Sequence, residues 1–311
     1  MIGRSLVGQL SKKQVKTILV VRPGTNRGYG FEDNPYCEIV PCDLSDLGKL
    51  AEEISSGKRV LGSCADGCDA FFHLGWSGTV GEARENALLQ LDNVGYTLDA
   101  VALAEALKSK TFVGAGSQAE YGRVEGIIGP NDLTKPENAY GVSKLAAGHL
   151  SRIACAKLDI RHVWMRIFSI YGPYDNACTM VSSVIRSLLK GARPSLTPAE
   201  QTWDYLFAGD AARALILAAE KGKTGSIYCV GSGEASPLRE YIEIIRDEID
   251  PCAPLGIGER PYADKQVMHL CADTSSLSAD TGFSPSVSFR EGIRLTIDWM
   301  KAFESDARSG E

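Results

Sequence analysis

The sequence has no basic block. Its 39 acidic residues outnumber its 33 basic ones, for a formal charge of −6. That balance argues against a nucleic-acid backbone or an anionic membrane surface as partner. It also has no long apolar run. The longest aliphatic stretch near the start, Ile18 to Val21, is far below the ~20 residues that cross a bilayer, and no leader pattern precedes it. Histidine is scarce: His73, His149, His162 and His269 are far apart. The nine cysteines are scattered, and only Cys64 and Cys68 are close. Neither set has the spacing of a metal site, so no metal is expected. The cysteines read as thiols in a reducing compartment, and the expected location is the cytoplasm. Repeats and low-complexity tracts are absent as well.

What remains is an ordinary globular composition, with 44% hydrophobic and 23% charged residues over 311 positions. That suits one large domain or two interleaved ones. Apolar strand-like runs occur at 16–21, 38–42, 69–74, 110–114, 162–167 and 226–230. Helical patterns fall between them at 3–13, 44–56, 83–107, 139–157 and 210–221, and later at 237–249 and 289–303. Strands alternating with helices of this length predict βαβ units, hence an α/β fold with a doubly wound, Rossmann-like parallel sheet. The expected dinucleotide-binding part is 1–170, with 206–231 returning to it. Residues 171–205 and 232–311 are the expected smaller substrate lobe. Ligands of such folds lie at the carboxyl ends of the strands.

The strongest local signal is Ala139-Tyr140-Gly141-Val142-Ser143-Lys144 at the start of a long helical pattern. Tyr140 and Lys144 are four apart and share a helix face. A nearby ammonium favours tyrosinate and would lower the phenol's pKa. Such a tyrosine can exchange a proton with a hydroxyl or carbonyl during hydride transfer. Upstream, a strand runs into Gly116-Ser117-Gln118-Ala119-Glu120-Tyr121-Gly122, which puts a serine hydroxyl in the crevice. Phe71-Phe72-His73-Leu74-Gly75-Trp76, Asp43-Leu44 and Asn93 belong to the same half. Ser169-Ile170-Tyr171-Gly172-Pro173 and Trp203-Asp204-Tyr205 follow later.

In this order and spacing the motifs resemble those of the extended short-chain dehydrogenases/reductases, in the NAD-dependent nucleotide-sugar epimerase/dehydratase group, over residues 2 to about 303. The resemblance implies a catalytic set of Ser117, Tyr140 and Lys144. Tyr140 would carry the proton, Lys144 would lower its pKa and hold the nicotinamide ribose, and Ser117 would orient the substrate oxygen. It implies cofactor contacts at Gly3, Asp43, Leu44, Leu74, Gly75, Trp76 and Asn93, beside Tyr140 and Lys144. It implies substrate contacts at Ser117, Gln118, Ser169, Trp203 and Arg260. It further implies a nucleotide-sugar substrate and a homodimer built on the helices at 83–107 and 139–157.

Four departures refine the expectation. The family opens with a central strand and three spaced glycines that cradle a pyrophosphate. Here only Gly3 matches, so the first strand and two glycines are missing. The sequence is expected to start inside a longer native chain; otherwise the product is truly shortened and binds cofactor poorly. Second, the strand ending at Val21 runs into Arg22 and Arg27, where an NAD enzyme usually carries an acid. Guanidinium favours a 2′-phosphate, which tilts the choice between NADP and NAD toward NADP. Third, Gln118-Ala119 stands where dehydratases have Asp-Glu. Elimination of water needs an acid there, so 4,6-dehydration is not expected, and Glu120, one position off, is expected to point away. Fourth, Ser169 replaces a common Asn and Trp203 a common Arg, while Arg260 matches a phosphate-binding arginine. The expected activity is nucleotide-sugar 4-epimerisation by transient oxidation. The alternatives are an NADPH-dependent 4-keto-sugar reductase and a non-catalytic dinucleotide-binding protein of the same fold.

Overall fold

The computed structural model describes residues 1–309 except 26, 27, 29 and 63–65, with side chains described through 302. In chain order, α1 (Ile2–Lys12) leads to β1 (Thr17–Val21) and β2 (Cys37–Pro41). Then come α2 (Leu47–Ser55), β3 (Phe71–His73), α3 (Ala87–Ala106) and β4 (Thr111–Ser117). A short β5 (Ile127–Ile128) precedes α4 (Ala139–Lys157), β6 (Arg161–Ile167) and β7 (Ser169–Tyr171). The chain continues through α5 (Met180–Leu189), β8 (Thr202–Trp203), β9 (Tyr205–Phe207), α6 (Ala208–Lys221) and β10 (Ser226–Val230). It closes with β11 (Ser236–Pro237), α7 (Leu238–Ile249), β12 (His269–Ala272), α8 (Ser275–Thr281) and α9 (Phe289–Ser309).

The strands carry β-branched and aromatic residues and the helices carry apolar faces, so the alternation folds as an α/β protein with parallel sheets, as expected. The central sheet has the order β10-β6-β4-β3, all parallel. β4 is buried along its whole length, and β6 along most of it. β1 and β2 pair in parallel in a separate two-stranded sheet. Among the described residues β1 has no partner but β2, and β3 none but β4. In the 3-2-1-4-5-6 order of a doubly wound dinucleotide fold, the break falls at the place of strand 1, the strand the sequence reading found missing. Every residue of β1 is only half-buried. The two pieces still share one core: Ile18, Val20 and Phe71 pack against Val40, Leu50, Val101 and Phe112.

A second core holds the C-terminal part together, with Val184, Ile185, Ile242, Ile245, Ile293 and Ile297 from α5, α7 and α9. Beside it β5, β8, β11 and β12 make a small mixed sheet, so β5, from between β4 and α4, pairs with the distant β12. The buried Asp204 ties this region to the central sheet. Its carboxylate accepts from the Ser232 N–H at 2.7 Å and the Ala272 N–H at 3.0 Å. Cys68 is disulfide-bonded, which departs from the expectation of thiols throughout; Cys37, Cys42, Cys155, Cys178, Cys229, Cys252 and Cys271 are free. No helix among the described residues is long and apolar enough to cross a membrane.

Candidate active site

Ser117 is the last residue of β4, at the carboxyl end of the central sheet. Its hydroxyl accepts the Ala119 N–H at 3.2 Å, while its own N–H donates to Glu120 Oε1 at 2.9 Å. Serine and glutamate three apart thus cap the short turn after the strand reciprocally. Glu120 does turn away, into the core, where it is 0% exposed. There the same Oε1 accepts from Trp164 Nε1 at 3.0 Å, and Oε2 accepts from Arg166 Nε at 2.6 Å. A buried charge with a full set of donors is tolerated where a lone one is not. This anchor under Ser117 is a function that sequence reasoning missed. Its signal was an arginine in a buried strand, which requires a buried acid.

Tyr140 sits in the first turn of α4, capped by Asn138, whose side-chain oxygen accepts the Gly141 N–H at 2.7 Å. A β-carbon at Gly141 would collide with the Ala119 carbonyl oxygen. Only glycine lets the helix start lie on the turn that follows Ser117, and that contact brings Ser117 to Tyr140. Burial pushes the Tyr140 phenol up; the Ser117 hydroxyl and the Arg84 guanidinium pull it down. Lys144 is 4% exposed and donates to the Ala115 carbonyl at 2.7 Å. Its Nζ lies 3.7 Å from the centre of the Trp76 ring and 5.9 Å from that of Tyr140. Burial lowers the Lys144 amine to about 7. Serine, tyrosine and lysine are therefore brought together, but the electrostatics differ from the sequence expectation. Desolvation outweighs the Ser117 hydrogen bond and the Arg84 charge, and Tyr140 moves up rather than toward neutrality.

Trp76 meets Tyr140 edge-on at 6.0 Å and donates its Nε1–H to Gln90 Oε1 at 2.8 Å. Gln90 Nε2 in turn donates to the carbonyls of Gly78 at 2.7 Å and Ala83 at 2.8 Å. Asn93 accepts the Ser77 N–H at 2.8 Å and donates to the Ser77 carbonyl at 3.0 Å. Gln90 and Asn93, three apart on α3, thus clamp the 77–86 segment beside Tyr140. The side chain of Asn93 is spent on that clamp. Gln90 escaped the sequence reading, and a pair of amides on an otherwise apolar helix was its signal.

The other expected cofactor residues fall along one strip. The β-carbon direction of Gly3 faces Leu74 Cδ1 at 3.7 Å, and that of Gly75 faces Leu44 Cδ2 at 2.7 Å. Asp43 ends this strip just after β2; its carboxylate accepts the Ser45 N–H, which holds its pKa below the usual range. Arg22 is paired with Asp43 at 3.2 Å and donates to the Ser77 hydroxyl at 3.1 Å. Its charge is engaged by an acid that the sequence reading had not linked to it. Arg27 lies outside the described residues.

Two expected substrate residues meet: Trp203 Nε1 donates to the Ser169 hydroxyl at 2.7 Å. Gln118 is half-buried in the turn after Ser117. Arg260 is exposed between α7 and β12. It shares no hydrogen bond, ion pair or ring contact with the Ser117–Tyr140 cluster among the described residues.

Residues 1–231 match the family described as the NAD dependent epimerase/dehydratase family. The chain belongs to that family. Curated relatives include the dTDP-glucose 4,6-dehydratase of Shigella flexneri, 27% identical over 54% of this chain and 48% of that protein. The match spans about half the length of such relatives. Among solved structures, the UDP-N-acetylglucosamine 4-epimerase of Methanobrevibacter ruminantium M1, in complex with UDP-N-acetylmuramic acid, superposes with a TM-score of 0.83. It is 20% identical and covers 97% of this chain and 96% of its own. The UDP-glucuronic acid 4-epimerase of Bacillus cereus, in complex with NAD, superposes at 0.79 with 21% identity, covering 97% and 96%.

Proposed function

We propose that the chain is a nucleotide-sugar 4-epimerase that works with NAD. The carrying observation is the packing of Ser117, Tyr140 and a buried Lys144 at the carboxyl end of the central sheet. NAD, when bound, would supply a reversible hydride acceptor for the sugar carbon. The residues present fit such a group at its adenosine and nicotinamide-ribose ends, while of the three pyrophosphate glycines only Gly3 is matched. Asp43 offers a half-exposed carboxylate at a strand end, Leu44, Leu74 and Gly75 form an apolar strip beside it, and Lys144 offers a buried amine at the other end. Asp43 and Leu44 would flank the adenosine, and Lys144 and Tyr140 the nicotinamide ribose. Tyr140 takes the proton of the sugar hydroxyl as the hydride leaves the same carbon, then returns it after the hydride comes back to the opposite face. Ser117 holds the reacting oxygen.

NAD is preferred to NADP because the Arg22 guanidinium is already paired with Asp43, and because Bacillus cereus and related neighbours are named with NAD. Water elimination at C5–C6 is disfavoured by Gln118 and Ala119, and by the inward turn of Glu120 onto Arg166. Trp203 and Ser169, hydrogen-bonded to each other, belong to the substrate side. A homodimer is supported by apolar side chains left on the surface of α3 and α4, such as Leu88 at 76%, Leu91 at 60% and Val142 at 51% exposed.

The test is to incubate the purified chain with NAD and a panel of UDP- and dTDP-sugars. The expected result is a C4 epimer with no net change in NADH. Stoichiometric NADPH oxidation on a 4-keto sugar would select the reductase instead. A 4-keto-6-deoxy product would select the dehydratase, and binding of NAD with no turnover the non-catalytic reading.

A further inference from the structure

The sequence reading gave one cation to Tyr140, and the structure gives it two. The nearer is Arg84, whose guanidinium carbon lies 4.2 Å from the centre of the Tyr140 ring. Lys144 lies at 5.9 Å, with its amine committed to the Ala115 carbonyl and the Trp76 face. Arg84 closes the short helical turn Gly81–Arg84 between β3 and α3. That turn is fastened from beneath, because Gln90 Nε2 holds the Gly78 and Ala83 carbonyls and Asn93 holds Ser77. Gln90 and Asn93 are both buried, so the placement of Arg84 is set by the core of the fold. Among the described residues no carboxylate pairs with Arg84; its polar contact is a 3.5 Å hydrogen bond to the Thr79 carbonyl. Its guanidinium is held over the tyrosine ring with no salt-bridge partner among the described residues.

We propose that Arg84 is a positioning residue for the proton transfer: its guanidinium, held over the Tyr140 ring, stabilises the phenolate and so makes Tyr140 able to act as a base. A cation over an aromatic face interacts with the ring electrons, and a ring carrying a full negative charge is held more strongly still. The groups facing Tyr140 are Arg84 from the 77–86 segment, Lys144 on its own helix, and Ser117 and Glu120 from β4 and its following turn. Glu120 opposes the phenolate, but its charge is shared with Arg166. Burial also opposes it, and Lys144 is too deeply desolvated to carry the work alone, which leaves Arg84 as the offsetting charge.

The inference rests on the reading of Tyr140 as the proton-transfer residue, and it can be tested without any sugar. Tyrosinate absorbance is titrated in the full chain and in Tyr140→Phe, and the difference isolates Tyr140. Arg84→Met should move that ionisation upward by about one pH unit, a roughly tenfold loss of acidity, and Arg84→Lys should restore most of it. Far-ultraviolet circular dichroism checks that the half-exposed site still folds. An unchanged titration in Arg84→Met overturns the proposal. Equal upward shifts in the Met and Lys variants overturn it too, since they would make the effect one of shape, not charge. So does a Tyr140 that ionises no earlier in the native chain than in Arg84→Met before alkaline unfolding. If the titration shifts as expected while no sugar is epimerised, the proposal about Arg84 stands and the reading of the reaction falls.

Discussion

The two ends of the parallel layer are built to different standards. Around β4, α4 and β6, every strand has a partner on each side, and the carboxylate of Glu120 receives three donors. Around β1 and β2, the ladder stops after one pairing and the strands are mostly half-buried. The Ser117–Tyr140 corner is over-determined, because the serine, the helix start and the loop over the tyrosine are each fixed by buried or half-buried hydrogen bonds. The β1–β2 end is held by side-chain packing, with one half-exposed ion pair at its tip. A residue added or lost should therefore matter far more at the first region than at the second.

The largest expected effect tests the chemistry of the first region. Tyr140→Phe should lower turnover by roughly 10²–10⁴-fold, the usual worth of general acid–base catalysis, with melting temperature unchanged; a variant with full activity would remove Tyr140 from the mechanism. Next is the anchor beneath it. Glu120→Ala leaves Arg166 uncompensated, 3% exposed at its side chain, and should cost about 3–5 kcal/mol by chemical denaturation. Glu120→Gln, which keeps an acceptor for Ser117 and Trp164, should cost clearly less. Equal losses would mean that the charge is immaterial.

A smaller effect lies on the boundary between the regions. Burial lowers the His73 imidazole to about 3 and that of His162 to about 4. In the unfolded chain both should titrate near ~6.5, so the unfolded state binds more protons between those values. Stability should be level above about pH 6.5 and fall as the pH drops toward 4 and then 3. His73→Gln should flatten that slope in urea melts taken across the range, and an unchanged slope would clear His73 of the role.

Hydrogen exchange addresses the comparison itself. Amides of β1 should exchange at least roughly tenfold faster than those of β4 and β6, because local opening there breaks fewer bonds and exposes less core. Equal protection would show the two regions to be one cooperative unit. The smallest effect is expected at Arg22. Arg22→Ala removes a half-exposed ion pair with Asp43, the kind worth about 0–1 kcal/mol. The ratio of NAD to NADP dissociation constants should change by less than about tenfold; a large swing would restore Arg22 as a phosphate reader.

Much of this was legible in the sequence, where the physical signal is local. The strands at 110–114 and 162–167 announced themselves by the apolar β-formers Phe112-Val113 and Val163-Trp164-Met165, and the Tyr140–Lys144 pair by helical spacing. That β1 and β2 pair apart from the central sheet emerges only in the tertiary structure. Long-range partners were not legible either. Nothing in the spacing links Glu120 to Arg166, 46 positions on, or Arg22 to Asp43. Nor does anything local link Arg84 to Tyr140, which meet only because α3 holds the 77–86 loop over the tyrosine. The sequence alone determined the class of fold and the types of group at the site, since periodicity and side-chain chemistry are properties of neighbours along the chain. Only the tertiary structure decided which charges face which, and whether burial or a cation governs the phenol. Desolvation and Coulomb energy depend on distances in space that no single stretch of sequence contains.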